Sequence, residues 1–496
     1  MIIPFGDLAM EQDVPPIVNK GATIINNVIP DVGGYLPLPS LSTYSGALTA
    51  YCRGAIGVTA INGTAYMYSG DATKLYQLAS ADSTWTNVSR SAGGAYTTGT
   101  QNYWEFVKFR GTVGEFKVIA TNYADDLQVM TLGGANFAQL VASIKAKHIA
   151  TIGDFVIIGN TNDADGVMPN KVRWCAINDE TNWTIAASTQ ADDQLLKGNG
   201  GAIQSIIGGQ EYGLVFQEHA IWLMQYVGSP VVFDFQKVED VRGAFCPRAT
   251  VSSGNMVFYW AEDGFYRFAQ GGSVPIGNGK IDKTIMADLD SAYTHRVTAS
   301  VDPRNKLVFW SYPGAGNSGG TPNKLLIYNW AANKWTTADM EMEMMNVSIG
   351  LGYTLDGLDA VSSSLDALPD SLDSAVWAGG KYQISAFNSS HKLAYFSGTA
   401  LDATIETGEV QLIEGKRAEV HEVTPVIDGG THTVSIGTRE TQASTVTWGA
   451  AVSENSSGKV PLRSNSRYHR ARVSNTGDFN HAVGVEINRV SPAGDR

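Results

Sequence analysis

The sequence predicts an all-β protein in which a β-propeller carries an appended β-sandwich-like platform module. Composition is the first indication. Of 496 residues, 17% are charged, 10% are aromatic and 53 are glycine, which is typical of aromatic strands joined by tight turns. Apolar strand pairs recur at intervals of about 40 to 50 residues, the spacing of propellers and solenoids. The chain is also too long for one ordinary core, so several units are expected.

The first segment, residues 1–50, is rich in proline and glycine and lacks the strand repeat. Proline fixes its own φ and disfavours helix in the residue before it. The segment is therefore predicted to be an extended N-terminal arm that pairs with another part of the fold or with a partner chain.

Residues 51–400 contain the repeat. In each unit an apolar strand with polar flanks precedes a turn and a second, aromatic strand. The strand pairs lie at 63–71 and 74–78, 116–122 and 127–130, 154–160 and 173–176, 212–216 and 220–224, 255–260 and 264–268, and 305–310 and 324–330. Regular recurrence of such pairs predicts about six or seven blades around an axis. An irregular β-sandwich, or a pair of sandwiches, is the alternative.

Two further segments complete the chain. Residues from about 354 to 376 interrupt the repeat with alternating Leu and Asp and are predicted to form a loop-like insertion. Residues 401–496 contain short strands at 434–439, 446–448, 468–473 and 483–487, a spacing typical of a sandwich. The predicted domains are thus the arm, a propeller over 51–400 and a sandwich-like platform domain over 401–496.

Charge and cysteine content bound the function. The net charge is -13, so a surface that binds phosphate non-specifically is not the default expectation. Cys52, Cys175 and Cys246 are widely spaced and odd in number, which argues against a disulfide framework and a cysteine-rich zinc site. The N-terminus lacks a basic signal region, and no apolar stretch reaches membrane-spanning length. We expect a protein that folds in a reducing cytoplasm.

Two motifs match ligand-binding loops by spelling alone. Residues 314–319 read G-x-G-x-x-G, but Thr321-Pro322 and a strand follow where a phosphate site needs a helix N-terminus. A long hairpin loop is predicted instead. Residues 163–166 hint at a calcium loop, yet Thr161 and Val172 stand at its first and closing ligand positions, so a surface turn is predicted.

A glycosidase is an alternative, because hydrolysis of a glycosidic bond needs two carboxyl groups across a cleft. Residues 81–85 resemble one Asp-box turn without its glycine, and carboxylate pairs occur at Asp125-Asp126, Glu239-Asp240 and Glu262-Asp263. Neighbouring residues of a strand face opposite ways, so such pairs are predicted to be solvated turns. The eight histidines form no H-E-x-x-H or H-x-H pattern, and no G-x-S-x-G occurs. No catalytic, cofactor or metal site is predicted, and the chain is not expected to be an enzyme.

Several stretches resemble the tail nozzle, or tail tubular, proteins of short-tailed bacteriophages, a group that includes packaged-DNA stabilisation proteins. The resemblance lies in the order of the pieces and covers most of the chain. It is carried by residues 27–40, 70–76, 215–222, 262–266, 302–310 and 467–473. No residue-level site is transferred by it.

The resemblance implies a homo-hexameric ring below the portal and adaptor of the virion tail, assembled in the host cytoplasm. Each subunit would carry a β-propeller, with a platform formed by the N-terminal arm and the C-terminal sandwich. The central channel would retain double-stranded DNA, which passes non-specifically during ejection, and tail fibre or tailspike proteins would dock on the ring. The alternative is a glycan-binding or receptor-binding propeller with exposed aromatics such as Trp104 or Trp377; a glycoside hydrolase ranks third.

Overall fold

The computed structural model describes residues 2–16, 18–80, 83–111, 114–269, 271–350, 362, 364–368, 371–373 and 382–494. Within these residues, the N-terminal arm contains five strands and the C-terminal region contains eight. The arm strands are β1 (Ile2–Pro4), β2 (Ala22–Asn26), β3 (Val28–Pro30), β4 (Tyr35–Pro37) and β5 (Pro39–Ala47).

Between these regions, successive antiparallel sheets follow one another along the chain. Blades 1 to 4 are formed by β6 (Ala55–Thr59), β7 (Ala65–Gly70), β8 (Leu75–Leu78) and β9 (Trp85–Asn87); β10 (Glu105–Arg110), β11 (Phe116–Thr121), β12 (Gln128–Thr131) and β13 (Ala138–Gln139); β14 (Lys145–Ile152), β15 (Phe155–Asp163), β16 (Gly166–Trp174) and β17 (Asp192–Leu195); β18 (Ile203–Ile207), β19 (Tyr212–Gln217), β20 (Ile221–Gly228) and β21 (Val232–Glu239).

Blades 5 to 7 follow the same order, with a short helix α1 (Asp282–Asp288) and a 3-10 turn (Ser291–Arg296) between blades 5 and 6. Their strands are β22 (Val251–Ser253), β23 (Met256–Ala261), β24 (Gly264–Ala269) and β25 (Gly272–Pro275); β26 (Thr298–Asp302), β27 (Leu307–Tyr312), β28 (Lys324–Asn329) and β29 (Lys334–Asp339); β30 (Met344–Ile349), β31 (Tyr382–Phe387) and β32 (Lys392–Ala400).

These sheets form a seven-bladed propeller. The first strands of successive blades lie side by side, and β30 of blade 7 packs against β6 of blade 1, which closes the ring. A hydrophobic cluster fills each of the seven interfaces between neighbouring blades. The strand period of two explains the apolar runs: on β23, Val257 and Tyr259 pack towards blade 4, whereas Phe258 and Trp260 pack towards blade 6. The all-β propeller prediction is confirmed.

A strand from the N-terminal arm completes the seventh blade. β5 pairs with β32 as the outermost strand of that sheet. The hydroxyl of Ser45 on β5 accepts hydrogen bonds from Leu393 N–H of blade 7 and from the indole of Trp85 of blade 1, both at 3.0 Å. The structure therefore places residues 39–47 in the propeller, whereas the sequence analysis grouped them with the arm.

The C-terminal strands form a two-sheet sandwich together with the rest of the arm. These strands are β33 (Ala403–Thr407), β34 (Ala418–Ile427), β35 (Thr431–Arg439), β36 (Thr447–Trp448), β37 (Val452–Ser453), β38 (Val460–Ser466), β39 (Tyr468–Thr476) and β40 (Ala482–Pro492). One sheet contains β1, β3, β4, β40, β34 and β38. The other contains β2, β33, β39, β35, β36 and β37. We call β1–β4 with β33–β40 the platform.

The platform and the propeller share one sheet and one core. β2 pairs with β29 of blade 6 through Asn26 and Thr337, so the second platform sheet continues into the propeller. The hydrophobic cluster between blades 5 and 6 extends without a break into the sandwich. The buried Lys334 ammonium donates to the carbonyl of Asp31 at 2.9 Å, and Asn329 donates to the carbonyl of Pro30 at 2.8 Å. These bonds fix the arm against blade 6.

Most of the insertion predicted at about 354–376 lies outside the described residues. A 3-10 turn at Leu365–Ala367 is the element described within it. The strands on either side, β30 and β31, are paired, with Ile349 opposite Tyr382. The insertion therefore connects the two strands of one hairpin. In the described parts of the chain, no helix has the length and apolar character needed to cross a membrane.

Candidate functional site

The segments that enter the first strands of several blades meet at one end of the propeller axis. All first strands run in the same sense in a propeller, so their N-terminal ends converge. Arginine, tyrosine and histidine side chains are common among the residues at this end of the axis. We call this group of residues the axial cluster. It consists of Tyr51, Arg53, Tyr103, Glu105, His148, Arg248, His295 and Arg296.

Backbone hydrogen bonds between neighbouring blades hold two of the arginines in place. The carbonyl of Arg53 accepts from Trp104 N–H of blade 2 at 2.7 Å. The carbonyl of Arg248 accepts from Ala299 N–H of blade 6 at 2.9 Å. Both arginines therefore belong to the inner wall of the ring and not to a mobile surface loop.

The guanidinium group of Arg248 lies between an aromatic ring and a backbone carbonyl. Its guanidinium carbon lies 3.4 Å from the centroid of the Tyr103 ring, and Nη2 donates to the carbonyl of His295 at 3.3 Å. Its Nε is buried without a hydrogen-bond partner. Burial lowers the pKa of Arg248 from its usual value, because a desolvated cation is disfavoured.

Arg53 and Arg296 add two further positive charges. Arg296 lies over the rings of Tyr51 and Tyr293, at 4.9 and 5.5 Å from their centroids. Arg53 donates to the carbonyl of Thr98 at 3.1 Å. Within the described residues, no carboxylate lies within 4.0 Å of the charged nitrogens of Arg53, Arg248 or Arg296. The cluster is therefore cationic and lacks an internal counter-ion at contact distance.

A buried carboxylate near these arginines already has other partners. Glu343, which leads into blade 7, accepts from Cys52 N–H at 2.8 Å and is hydrogen-bonded to His391. Burial raises the pKa of Glu343, and the neighbouring His391 and Arg296 oppose that rise. Its carboxylate therefore forms hydrogen bonds across the junction between blades 7 and 1.

His148 brings an unsatisfied polar atom to the same region. Its side chain is buried, with a relative exposure of 2%, and Nδ1 lies 2.8 Å from Oε1 of Glu105. The other carboxylate oxygen of Glu105 accepts from Ile149 N–H at 3.2 Å. An ionised carboxylate only accepts, so it fixes the proton on Nδ1. Nε2 of His148 is buried and has no partner.

Members of the cluster line two neighbouring cavities. A small inner cavity of about 50 Å³ is bounded by Tyr103, Glu105, His148 and Arg248. A wider vestibule of about 480 Å³ opens beside it, lined by residues that include His219, Glu262 and His295. The two cavities share Gln101, Lys147, Gln204 and Pro247 as walls. The two cavities are therefore adjacent.

His295 makes the cluster sensitive to acid. Burial, and then the charges of Arg296, Arg248 and Arg53, lower the pKa of His295 to about 4. An unfolded histidine titrates near 6.5, so between these values the unfolded chain binds more protons and folding stability falls as the pH drops. Because the imidazole is only half-buried, the loss is expected to be about 1–2 kcal/mol.

We therefore expect His295→Asn to lose less stability than the wild type when the pH is lowered from 6.5 to 4. Thermal unfolding measured across this range would show it. His481→Asn, at an exposed histidine of the platform, is the matched control and should keep the wild-type response. Identical pH profiles for the wild type and His295→Asn would contradict the assignment.

The carboxylate pairs at Asp125-Asp126, Glu239-Asp240 and Glu262-Asp263 come from different blades. They lie in blades 2, 4 and 5, and one member of each pair is bound by a neighbouring cation. Asp125 pairs with Arg90, Asp240 with Lys237 and Asp263 with Arg242 at 2.9, 2.7 and 2.8 Å. Glu262 borders the vestibule of the axial site.

The G-x-G-x-x-G stretch and the stretch that resembles a calcium loop both lie in connections between strands, as the residues beside them predicted. Residues 314–319 join β27 to β28 in a hairpin. Asp163 and Asp165 lie at the turn between β15 and β16, where both carboxylates bind Lys171 at 2.8 and 2.7 Å. Among the described residues, no group of three acidic, histidine or cysteine side chains is arranged to hold a metal ion.

Trp104 cannot serve as the exposed aromatic platform suggested by the sequence. Its side chain is buried, and its indole donates to the carbonyl of Asp71 at 2.8 Å. Trp377 lies outside the described residues. The three cysteines are buried free thiols. The axial cluster was not predicted from the sequence. Its signal there is an arginine two or three residues before the first strand of blades 1, 5 and 6.

No family model matches the chain, and no curated protein matches it. Among solved structures, the extracellular domain of a hybrid two-component system from B. thetaiotaomicron has a TM-score of 0.40 and 11% identity, and it covers 80% of this chain. The match spans 44% of that longer protein.

Two other solved structures have TM-scores no higher than that of the two-component system domain. BBS1N in complex with ARL6DN has a TM-score of 0.40 and 8% identity, over 73% of this chain and 97% of that one. A nidogen/laminin complex has a TM-score of 0.24 and 9% identity, over 43% of this chain and 75% of that one. The propeller assignment accordingly rests on the sheets and clusters of the chain itself.

Proposed function

We propose that this protein is the subunit of a ring-shaped tail nozzle in a short-tailed bacteriophage. The ring lies below the portal and adaptor, retains the packaged DNA and channels it during ejection. The observation that carries the proposal is the shared arm: β1–β4 build the platform with the C-terminal sandwich, and β5 of the same segment closes the propeller. A platform built from the N-terminal arm and the C-terminal sandwich is what the sequence stretches that resemble nozzle proteins imply.

An arm that belongs to both the platform and the propeller is suited to a protein that must resist the pressure of packaged DNA. The platform cannot move relative to blade 6 without breaking the β2–β29 pairing and separating a common core. In a ring of six copies, a rigid subunit transmits the pressure of packaged DNA to its neighbours through fixed interfaces. The net charge of -13 per chain also suits a channel that DNA must leave, because lysine and arginine contacts to phosphate would retain it.

The direct test uses filled phage heads that carry the portal and adaptor but lack this protein. Addition of the purified chain should protect the packaged DNA from nuclease, and heat-denatured chain should not. Tail fibre or tailspike proteins should then bind to the completed particles. Heads that lose their DNA equally fast with and without the native chain would overturn the proposal.

The insertion offers a separate prediction about assembly. Because Ile349 and Tyr382 are already paired, deletion of residues 354–373 should leave the hairpin of blade 7 intact. We expect an unchanged melting temperature together with impaired ring assembly or DNA retention. Circular dichroism and light scattering measure the two effects independently. A deleted chain that fails to fold would contradict the prediction.

A further inference from the structure

We propose that the axial cluster binds an acidic sugar, with its carboxylate in the inner cavity and its ring in the vestibule. This binding site is independent of the proposed role in the tail. It would take a free sugar acid or the terminal uronic acid of a polysaccharide, since both present the same carboxylate and hydroxyl groups.

The unmatched charge of the cluster is the first argument. Three arginines meet at the axis with no carboxylate in contact among the described residues, although Glu105 and Glu343 lie nearby and are bonded to other groups. Buried cations are normally paired, because an unpaired charge loses its hydration without compensation. An anion in the inner cavity would supply the missing counter-ion to Arg248.

Two unsatisfied atoms provide an independent second argument. Nε of Arg248 and Nε2 of His148 are both buried without partners, and both residues line the inner cavity. Buried polar groups are rarely left unpaired in folded proteins. A carboxylate oxygen can accept from Nε of Arg248. Nε2 of His148 is an acceptor when Nδ1 donates to Glu105, so it can accept from a hydroxyl group of the same ligand.

The size of the inner cavity limits what can enter it. A water molecule needs roughly 10–15 Å³ on this scale. The inner cavity of about 50 Å³ therefore fits a planar carboxylate but not a sugar ring. The adjacent vestibule of about 480 Å³ has room for the ring.

Acidic side chains border both cavities beside the cations Arg248 and Lys147. Glu105 borders the inner cavity, and Glu218 and Glu262 border the vestibule. The same acidic groups accept hydrogen bonds from hydroxyls, which a sugar supplies in number.

The other vestibule walls match a polyhydroxylated ring. The side chains of Gln101, Gln204, Ser291 and Thr294 offer donors and acceptors, and Phe245 and Pro247 offer apolar surface. A simple alkyl carboxylate would leave these polar groups unmatched. The vestibule therefore selects for hydroxyl groups, and the inner cavity selects for the carboxylate.

Titration calorimetry of the full chain with glucuronate, glucose, cyclohexanecarboxylate and inorganic phosphate tests the proposal. A ligand of this size that binds with ordinary efficiency gives a Kd on the order of 1 mM. Glucuronate should bind in that range, and the other three should bind at least tenfold more weakly. An oligosaccharide with a terminal glucuronate should then show whether a polysaccharide end is also accepted.

Variants separate binding from a structural role of Arg248. Arg248→Gln should weaken glucuronate binding at least tenfold, and His148→Gln should do so without removing the contact between Arg248 and His295. Arg304→Gln, at the exposed turn after β26 on the opposite end of the axis, should bind like the wild type. Equal binding of phosphate and glucuronate, absence of glucuronate binding, or unchanged binding by a folded His148→Gln would overturn the proposal.

Discussion

A chain that begins at residue 48 is expected not to reach the native fold. It lacks β5, the outer strand of blade 7, and all four arm strands of the platform. It also loses large apolar side chains from the core: Phe5, Leu8, Met10, Ile25, Val28, Tyr35 and Leu38, each at most 3% exposed. Each such loss costs roughly 2–5 kcal/mol, and the sum exceeds the usual stability of about 5–15 kcal/mol.

Near-ultraviolet circular dichroism and thermal unfolding would measure this effect. The matched control is a chain that begins at residue 5 and therefore lacks only β1, an edge strand whose Ile2 is 58% exposed. The control should fold and melt within a few degrees of the full chain. A cooperative, native-like transition from the chain that begins at residue 48 would show that the arm is not needed to close the propeller.

Lys171→Met is expected to destabilise blade 3 by about 3–5 kcal/mol, the usual cost of removing one partner from a buried ion pair. Lys171 and Asp163 are both about 1% exposed and lie 2.8 Å apart. Burial by itself would raise the pKa of Asp163, but hydrogen bonds from Lys171 and Arg173 outweigh it and lower the pKa below its usual value. Without Lys171, the buried Asp163 carboxylate keeps only part of this compensation.

Chemical unfolding gives the overall effect, and hydrogen exchange of residues 145–195 locates it in blade 3. Lys237→Met in blade 4 is the matched control, because its partner Asp240 is 77% exposed and such pairs contribute about 0–1 kcal/mol. The loss at Lys171 should diminish in acid, where Asp163 becomes protonated. Equal destabilisation by the two substitutions would show that the buried Lys171–Asp163 pair contributes no more to the free energy of unfolding than the exposed pair does.

The sequence predicts the propeller because the middle strands of each blade are apolar on both faces. The predicted pairs correspond to the second and third strands, such as β23 and β24, which contact both neighbouring blades. The first strands are less regular: β22 is only three residues long, Val251–Ser253, and gives no periodic signal. Blade number could not be fixed for this reason, and no strand pair was predicted for blade 7.

Long-range pairing is what the sequence could not supply. Residues 39–47 read as a polar, proline-containing segment, and only their pairing with β32 makes them part of a blade. The axial cluster has the same character, because Arg53, His148 and Arg248 come from blades 1, 3 and 5 and share no spacing. Closure of the propeller brings these residues together, and that closure depends on contacts between blades along the whole chain.

The mass and shape of the purified protein, alone and mixed with the portal–adaptor complex, test the central proposal most directly. Light scattering gives the mass, and negative-stain images give the symmetry. The nozzle assignment predicts a six-fold ring with a central channel that docks on the portal–adaptor complex. A monomer that neither forms a ring nor docks would contradict it and would favour the glycan-binding propeller.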